Sequence, residues 1–352
     1  MVLEDIDFGI LQELADNPQT TDIVVTDTGR VWVDKGFGLQ EYNPRIPFDN
    51  PMILREYAVW LCAQLGKRLD DSCPIADASS PVGVRVHALI APIVLSGAAI
   101  SIRFPALKRY CLTELSSRGM FPIELSRILY LLVTQRANIL ITGSTGSGKT
   151  TLMKSLLASC DEKDRIVTVE ETRELGSLSK DHVSLATREA NVEGVGSVGL
   201  SDLVKATLRM RPDRIILGEC RGQEIADLLR VFTCGHKGGM TTLHADKVQK
   251  VPARLMSLGL LAGLEPSSLC ALAADAFDVV IHVERVNGMR IVKELGILRS
   301  TDSGALEGVP ILRLKNCVNS NDSNFSAQIE ETSAWKNFAV KWHLPLNTGL
   351  FL

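Results

Sequence analysis

The chain has 352 residues, of which 45% are hydrophobic and 22% are charged, and its formal net charge is -3. This length is enough for two domains, and the composition excludes an intrinsically disordered chain. The small negative charge and the pI near 6.1 lack the signature of a nucleic-acid-binding protein, so we expect no nucleic-acid partner.

Three further features indicate a soluble protein of the cytoplasm. The acidic N-terminus does not resemble a secretory signal. The longest uncharged apolar stretch, residues 88–102, is too short to span a bilayer. The eight cysteines are scattered without a CxxC pair, which disfavours a disulfide framework or a zinc ribbon and favours a reducing compartment.

The first third of the chain alternates strand and helix patterns. Two β-rich segments flank an Asp27-Thr28-Gly29 turn, which indicates a hairpin. Asn50 is predicted to cap a helix with Pro51 in its first turn. The predicted elements are strands at 22–26 and 30–33, a helix at 51–66, and strands at 84–90 and 99–103. They define a smaller α+β domain over residues 1–108, followed by a polar linker over residues 109–122.

From about Ile123 onward, long helices alternate with short apolar strands. The predicted strands are at 138–142, 165–170, 214–218 and 240–243. Such alternation is typical of a mostly parallel sheet covered by helices. Asn287-Gly288 lies between two β-rich segments and suits a tight hairpin turn. We assign residues 123–314 to this α/β domain and residues 315–352 to a polar, irregular tail without an assigned role.

Residues 143–150, GSTGSGKT, match the phosphate-loop motif G-x-x-x-x-G-K-[ST] between an apolar strand and a helical segment. The glycines let backbone N–H groups surround a phosphate, and the helix N-terminus adds positive potential. Lys149 would reach the β- and γ-phosphates, and Thr150 would bind Mg²⁺. The predicted nucleotide-binding residues are Gly143, Ser144, Thr145, Gly146, Ser147, Gly148, Lys149, Thr150 and Thr151. The alternative, a merely glycine-rich turn, is disfavoured by the strand–loop–helix context.

Two apolar strands end in acidic residues. Glu219 follows one of them, and the run Glu170-Glu171-Thr172-Arg173-Glu174 closes the other. Parallel strands bring such residues to the sheet edge that carries the phosphate loop. Hydrolysis needs a metal-side acid and a group that orients the attacking water, and carboxylates can supply both. An isolated glutamate there would more often be a solvated loop residue, but two acidic strand ends favour a catalytic role.

The segment GHKGGMTTLH, residues 235–244, holds two of the six histidines. A zinc site is one alternative, with Cys220 and Cys234 as further ligands. It is disfavoured because the strand-like residues between His236 and His244 give the pair no common helical face. In a second alternative, both imidazoles only cap or pack.

Three segments, 183–194, 208–222 and 235–246, resemble motifs of the type II/type IV secretion and pilus traffic ATPases. The resemblance is closest to the tight-adherence (CpaF/TadA-like) pilus assembly ATPases and extends over about residues 20–300. It implies a RecA-like P-loop ATPase domain preceded by the α+β domain, with ATP and Mg²⁺ as cofactors. It also implies a homo-oligomeric ring, usually a hexamer, that contacts inner-membrane platform proteins at the cytoplasmic face of the membrane.

The same resemblance assigns roles to individual residues. Glu174 would position or activate water, and Glu219 would act through Mg²⁺ or its water shell, with Glu171 as a second metal-side residue. His236 and His244 would lie near the γ-phosphate and report nucleotide state.

In the first domain, the resemblance makes Arg85 and Arg103 candidate contacts to nucleotide phosphates. The chain departs from the family pattern in three places. Relatives usually carry Asp at the position of Glu171, Asp at that of Val82 and Lys at that of Phe104.

Five arginines are candidates for reaching a phosphate or an acidic residue across a subunit interface, because a guanidinium can stabilise a transferring phosphoryl group. They are Arg188, Arg209, Arg211, Arg214 and Arg221. The alternative is a set of surface or interdomain ion pairs.

Together these features predict Mg²⁺-dependent ATP hydrolysis by a ring-forming motor for pilus assembly or protein secretion. The departures at Val82, Phe104 and Glu171 leave open a nucleotide-binding scaffold with negligible turnover. A DNA-transfer motor on the same RecA-like core is a third hypothesis, disfavoured by the net charge and by the closer resemblance.

Overall fold

A computed structural model describes residues 6–36, 38–105, 109–188, 195–317 and 326–348. The chain divides into two compact units. The N-terminal unit contains Met1–Leu107 and Thr172–Gly176, and the C-terminal unit contains Lys108–Glu171 and Ser177–Leu352. Within the described ranges, no helix is both long and apolar enough to cross a membrane.

The N-terminal unit is an antiparallel sheet with helices. Its strands are β1 (Asp22–Val25), β2 (Val31–Asp34), β3 (Leu39–Tyr42), β4 (Ile75–Ser79), β5 (Arg85–Ile90) and β6 (Ala98–Arg103), in the order β3-β2-β1-β6-β5-β4. A 3₁₀ turn (Gly9–Leu11) leads into α1 (Gln12–Ala15), and α2 (Pro51–Gln64) follows β3. Alternate residues of β1, β2, β4, β5 and β6 face a core shared with Leu54 and Leu61 of α2.

The start of α2 agrees with the capping prediction. The Asn50 side chain accepts a hydrogen bond from the Met52 backbone N–H at 2.9 Å, and Pro51 is the first helical residue. The predicted β1–β2 hairpin is also confirmed, with Asp22 opposite Asp34 and Val25 opposite Val31.

The C-terminal unit is a larger sheet covered by helices. Its strands are β7 (Ile139–Thr142), β8 (Ile166–Glu170), β9 (His182–Ala186), β10 (Arg214–Leu217), β11 (Met240–Leu243), β12 (Val279–Val286), β13 (Met289–Ser300), β14 (Leu306–Cys317) and β15 (Ser326–Glu331). Its helices are α3 (Leu112–Ser117), α4 (Ile123–Thr134), α5 (Lys149–Leu157), α6 (Leu200–Thr207), α7 (Glu224–Thr233), α8 (Val251–Leu261), α9 (Pro266–Ala276) and α10 (Trp335–Lys341), with a 3₁₀ turn at Val248–Lys250.

The strand order of this sheet is β15-β14-β13-β12-β7-β11-β10-β8-β9. The neighbouring strands β12, β7, β11, β10, β8 and β9 pair in parallel. The pairs β12–β13, β13–β14 and β14–β15 are antiparallel. Every residue of β7, β8, β10 and β11 is buried, as expected for parallel strands covered on both faces. We call the edge where the parallel strands end the carboxyl edge, and the opposite one the amino edge.

The sequence patterns identified the parallel core but not its surroundings. The segment predicted as a polar linker contains α3. The helix is amphipathic, and it buries Leu112 and Leu115 while its polar residues face outward. The tail predicted as irregular continues β14 beyond Leu314 and contributes β15 and α10. Within the described part of this tail, Lys315 of β14 is exposed, while Trp335, Phe338 and Ala339 of α10 are buried.

The late hairpin is confirmed between β12 and β13. Asn287 and Gly288 have φ angles of 50° and 84°, so both turn residues adopt the positive φ that a tight hairpin turn requires.

Candidate nucleotide-binding site

The phosphate loop joins β7 to α5 at the carboxyl edge. Gly143 is the residue after β7, and its backbone packs so closely against Val283 that a Cβ there would lie 2.2 Å from the Val283 carbonyl oxygen. Gly148 has a φ of 100° and precedes α5, a conformation that L side chains rarely adopt. Both positions therefore need glycine, and they set a strand–loop–helix turn with the α5 N-terminus facing the loop.

Lys149 is held inside this loop. Its side chain is buried, and Nζ donates to the carbonyl oxygens of Gly143 at 3.0 Å and Ser144 at 2.9 Å. Ser147 is also buried, whereas Ser144, Thr145 and Gly146 are exposed. The middle of the loop is therefore exposed, while the Lys149 ammonium group is held in a fixed position inside it.

Thr150 and Thr151 lie in the first turn of α5 and are partly exposed. The hydroxyl of Thr150 is therefore at the helix end that the loop surrounds. This is the position from which the motif binds a metal.

Arg290 on β13 supports the loop from the neighbouring hairpin. Its Nε donates to the Gly146 carbonyl at 3.1 Å, and its Cδ would lie 3.1 Å from a Cβ on Gly148. Sequence patterns did not reveal this contact, because it depends on β12 pairing in parallel with β7 and carrying the hairpin to the carboxyl edge.

Arg290→Ala should therefore weaken nucleotide binding by about threefold to tenfold, since about one hydrogen bond to the loop is lost. Binding of a fluorescent ADP analogue measures this effect. Arg285→Ala is a matched control, because Arg285 is exposed and faces Arg290 across the same hairpin. Equal losses in both variants would show that only local charge matters.

The two acidic strand ends meet at the carboxyl edge. Val169 of β8 pairs with Leu217 of β10, so the residues that follow these strands are neighbours. Glu170 is 4% exposed, and its Cγ would lie 3.0 Å from a Cβ on Gly218. Glu219 comes next in the chain, with a side chain 22% exposed.

Glu219 belongs to a chain of charged contacts. The Arg221 guanidinium lies 2.6 Å from Glu219 Oε2 and 3.0 Å from Glu171 Oε2. On its other side, His244 Nε2 lies 2.6 Å from Glu219 Oε1. The structure thus brings Glu171, Arg221, Glu219 and His244 together at the carboxyl edge.

The surroundings keep Glu219 ionised. Burial alone would raise its pKa, but the hydrogen bond and charge of Arg221, with the charge of Lys149, leave the Glu219 pKa below its ordinary value. Burial, followed by the charge of Lys149, lowers the pKa of His244 despite the adjacent Glu219. A lowered histidine pKa means a neutral ring at pH 7, so His244 can donate a hydrogen bond without carrying charge.

A cavity of about 360 Å³ opens beside the start of the phosphate loop. Its lining includes Gly143, Ser144 and His244 together with Lys250 and Arg254. The sequence does not identify either cation, because both lie beyond the motif at residues 235–246. The cavity is large enough for a small polar group next to the loop, and its charged lining consists of two cations, Lys250 and Arg254, and one carboxylate, Asp246.

His236 lies elsewhere. It precedes β11, whereas His244 follows it, so the two histidines lie at opposite edges of the parallel sheet. The prediction that both lie beside the γ-phosphate is therefore wrong for His236. Among the described residues, no group of three or more His, Cys, Asp or Glu side chains could hold a metal ion.

The paired glycines also serve the amino edge. A Cβ on Gly238 would lie 2.5 Å from the Arg214 guanidinium, and one on Gly239 would lie 2.3 Å from the Phe232 ring. The Gly239 N–H donates to Asn138 at 2.9 Å. These glycines thus allow close packing over Arg214 and Phe232, and not an approach to phosphate.

Arg214 is a buried structural residue. It is 2% exposed, and its Nε donates to Asp164 at 2.6 Å while another nitrogen donates to the Val133 carbonyl at 3.1 Å. For Arg214 the ion-pair alternative holds, and the phosphate-contact prediction is wrong. Arg209 and Arg211 are exposed in the turn after α6.

Arg188 donates to the Gly196 carbonyl at 2.6 Å and pairs with Val198 in an isolated bridge. Residues 189–194 of the resembling motif lie outside the described residues.

Within the N-terminal unit, Arg85 and Arg103 face each other across β5 and β6. Glu174, whose segment groups with this unit, pairs with Arg85 at 2.8 Å. This carboxylate offsets two like charges placed directly opposite. Phe104 is buried against Phe8 with ring centroids 5.5 Å apart, so this side chain contributes to the core.

The parallel sheet, its phosphate loop and its acidic strand ends define a P-loop ATPase core of RecA-like fold, preceded by a smaller α+β unit. Residues 4–298 match the family model described as Type II/IV secretion system protein. The chain belongs to this family, which confirms the prediction at the superfamily level. The closer tie to the tight-adherence branch stays a prediction.

Curated relatives support this membership. A Mycobacterium tuberculosis (strain H37Rv) protein named for conjugal transfer is 38% identical over 310 residues, covering 86% of this chain and 87% of the relative. The conjugal transfer protein TrbB of Rhizobium radiobacter is 31% identical over 286 residues, covering 80% and 84%.

Solved structures support the fold. The Legionella pneumophila ATPase DotB aligns with a TM-score of 0.54 at 20% identity, covering 86% of this chain and 78% of DotB. The pilus retraction motor PilT with bound ADP aligns with a TM-score of 0.54 at 17% identity, covering 98% and 92%.

Proposed function

We propose that this protein is a ring-forming, Mg²⁺-dependent ATPase that powers pilus assembly or protein secretion. The observation that carries the proposal is the convergence of Lys149, Glu219 and His244 at one sheet edge. The family and the named ATPases among its structural neighbours support ATP as the nucleotide. Hexameric assembly, membrane-platform partners and a place at the inner face of the cytoplasmic membrane belong to the proposal.

Phosphate binding follows from the geometry of the loop. Backbone N–H groups at the start of α5 and the helix dipole attract the phosphate oxygens. Lys149 Nζ would exchange the Gly143 and Ser144 carbonyls for the β- and γ-phosphates. That exchange replaces two neutral acceptors by anionic ones, which makes the hydrogen bonds stronger.

The oxygen ligands available at the carboxyl edge fit Mg²⁺. Magnesium prefers oxygen ligands and is usually held by one or two carboxylates together with phosphates and waters. Arg221 contacts both Glu171 and Glu219, so the space between these two carboxylates already holds a cationic group. Thr150, Glu219 and Glu171 would hold the ion, which would neutralise charge on the phosphates.

The remaining groups would act on the attacking water. Glu219 stays ionised and can accept a proton or a hydrogen bond, while neutral His244 lies 2.6 Å from Glu219 Oε1 and would orient it during the reaction. The resemblance assigns water positioning to Glu174, and we include that role in the proposal.

His244→Ala should lower the turnover of ATP at least about tenfold and change the nucleotide dissociation constant less than about threefold. The reason is that the ring contacts Glu219 and not the carbonyls that hold Lys149. Steady-state hydrolysis and equilibrium binding measure the two effects separately. Loss of binding, or stoichiometric zinc in the purified protein, would contradict the assigned role.

One experiment separates this function from its alternatives. ATP hydrolysis is assayed beside sedimentation, with Mg²⁺ present or chelated and with duplex DNA present or absent. The proposed motor hydrolyses ATP only with Mg²⁺, forms a ring, and does not respond to DNA. Nucleotide binding and assembly without hydrolysis would favour the scaffold instead.

A DNA-transfer motor is the second candidate function. It is favoured by the two relatives named for conjugal transfer. The net charge of -3 favours the secretion or pilus motor, because a DNA-tracking ring needs positive charge for phosphates. Stimulation of hydrolysis by DNA in the same assay would reverse this order.

A further inference from the structure

Arg221 bridges the two carboxylates on the metal side of the site. Its Nη1 lies 3.0 Å from Glu171 Oε2, and its Nη2 lies 2.6 Å from Glu219 Oε2. Glu171 follows β8 and Glu219 follows β10, and these strands are adjacent and parallel. One guanidinium therefore spans the gap between two acidic strand ends, an arrangement that we call the arginine bridge.

The backbone of Arg221 is fixed from behind. Glu224, at the start of α7, is buried, and its Oε1 accepts hydrogen bonds from the N–H groups of Arg221 at 2.6 Å and Gly222 at 2.8 Å. The N–H of Cys220 donates to the Thr242 carbonyl at 2.9 Å. The loop is thus anchored to α7 and β11, and the side chain of Arg221 can turn on a fixed backbone.

The contacts of the arginine bridge are suited to exchange. The side chains of Arg221, Glu171 and Glu219 are 50%, 47% and 22% exposed. The Arg221–Glu171 pair is weak, because both side chains are about half exposed, water screens the pair and two long side chains must be ordered. A doubly charged ion that also binds phosphates is a stronger partner for the same two carboxylates.

We propose that Arg221 is a positioning residue that holds Glu171 and Glu219 in place before nucleotide binding and yields both carboxylates to Mg²⁺ when the metal–nucleotide complex arrives. This inference rests on the proposed function, since it assumes a Mg²⁺–nucleotide ligand. Mg²⁺ must then displace Arg221 from both carboxylates, so nucleotide binding needs a higher Mg²⁺ concentration than it would without the arginine bridge.

The test titrates Mg²⁺ against a fluorescent ADP analogue at fixed protein concentration, with wild type, Arg221→Gln and Arg221→Lys. Arg221→Gln should lower the Mg²⁺ concentration for half-maximal binding about threefold to tenfold, because two exposed pairs no longer compete. Arg221→Lys should behave like Arg221→Gln, because an ammonium group cannot span both carboxylates as the planar fork does. Arg45→Gln, which changes an arginine whose side chain is 90% exposed and which was not a candidate for the site, should match wild type.

Each other outcome has a distinct meaning. If Arg221→Lys matches wild type while Arg221→Gln does not, charge alone acts and the arginine bridge is refuted. If neither variant changes the Mg²⁺ dependence, the competition is also refuted. If the variants weaken ADP binding in EDTA, Arg221 contacts the nucleotide and is not displaced by metal. Failure of the wild type to bind the analogue at any Mg²⁺ concentration would instead contradict the proposed function.

Discussion

Glu219→Gln is expected to lower the turnover number for ATP hydrolysis about 100-fold or more, while the nucleotide dissociation constant measured in EDTA changes less than about threefold. The carboxyl edge keeps this group ionised, because Arg221 and Lys149 outweigh the effect of burial on its pKa. Glutamine preserves the size and the contact with His244 but removes the negative charge. Charge, and not shape, is therefore the property that the substitution tests.

The control for Glu219→Gln is Glu162→Gln, which removes a carboxylate from a side chain 87% exposed. It should hydrolyse ATP at the wild-type rate, since exposed pairs contribute little. Comparable activity of Glu219→Gln and wild type, measured as phosphate release at saturating ATP, would remove Glu219 from the mechanism.

Arg214→Ala is expected to cost about 3–5 kcal/mol in the free energy of unfolding, since it leaves Asp164 without its buried partner. Arg214 and Asp164 have side chains only 2% and 4% exposed, and their atoms lie 2.6 Å apart. The second partner of Asp164, Arg136, is 43% exposed and compensates only in part. Urea-induced unfolding measures the loss.

Two variants sharpen this result. Arg209→Ala removes an exposed arginine of the same segment and should change stability less than about 0.5 kcal/mol. The double variant Arg214→Met with Asp164→Leu should recover much of the loss, because apolar residues can replace a buried ion pair. A loss below about 1 kcal/mol for Arg214→Ala would show that the pair does not support the amino edge.

The phosphate loop and the acidic strand ends could be predicted because their signals are contiguous. A short apolar strand, a glycine-rich loop and a helix are encoded within one segment, and each strand carries its acid immediately after it. The parallel arrangement then fixes their meeting at one edge without knowledge of any long-range contact. The Asn50 cap was readable for the same reason, since donor and acceptor are two residues apart.

Features that depend on distant packing were not predictable. His236 and His244 are separated by one short strand, and only the direction of β11 shows that they lie at opposite edges. Arg290 reaches the phosphate loop from a hairpin far along the chain. The burial of Arg214 depends on Asp164, which carries no local signal of its role.

The C-terminal segment was predicted as irregular for a different reason, its polar composition. Strands β14 and β15 carry charged residues such as Lys315 and Glu330, which pair across the two strands at 3.1 Å. Such exposed faces lower the apolar content of a strand without preventing sheet pairing. Trp335, Phe338 and Ala339 form the buried apolar face of α10, which is too short a signal to predict the helix from sequence.

Phosphate release from ATP by the assembled protein, with Mg²⁺ present or chelated, tests the central claim most directly. Wild type should hydrolyse ATP only with Mg²⁺, and Lys149→Ala should lose about 100-fold or more of that activity, because the loop then lacks its phosphate-binding ammonium group. Absence of Mg²⁺-dependent hydrolysis in the assembled wild type, or equal rates in wild type and Lys149→Ala, would contradict the assignment of this protein as an ATPase motor.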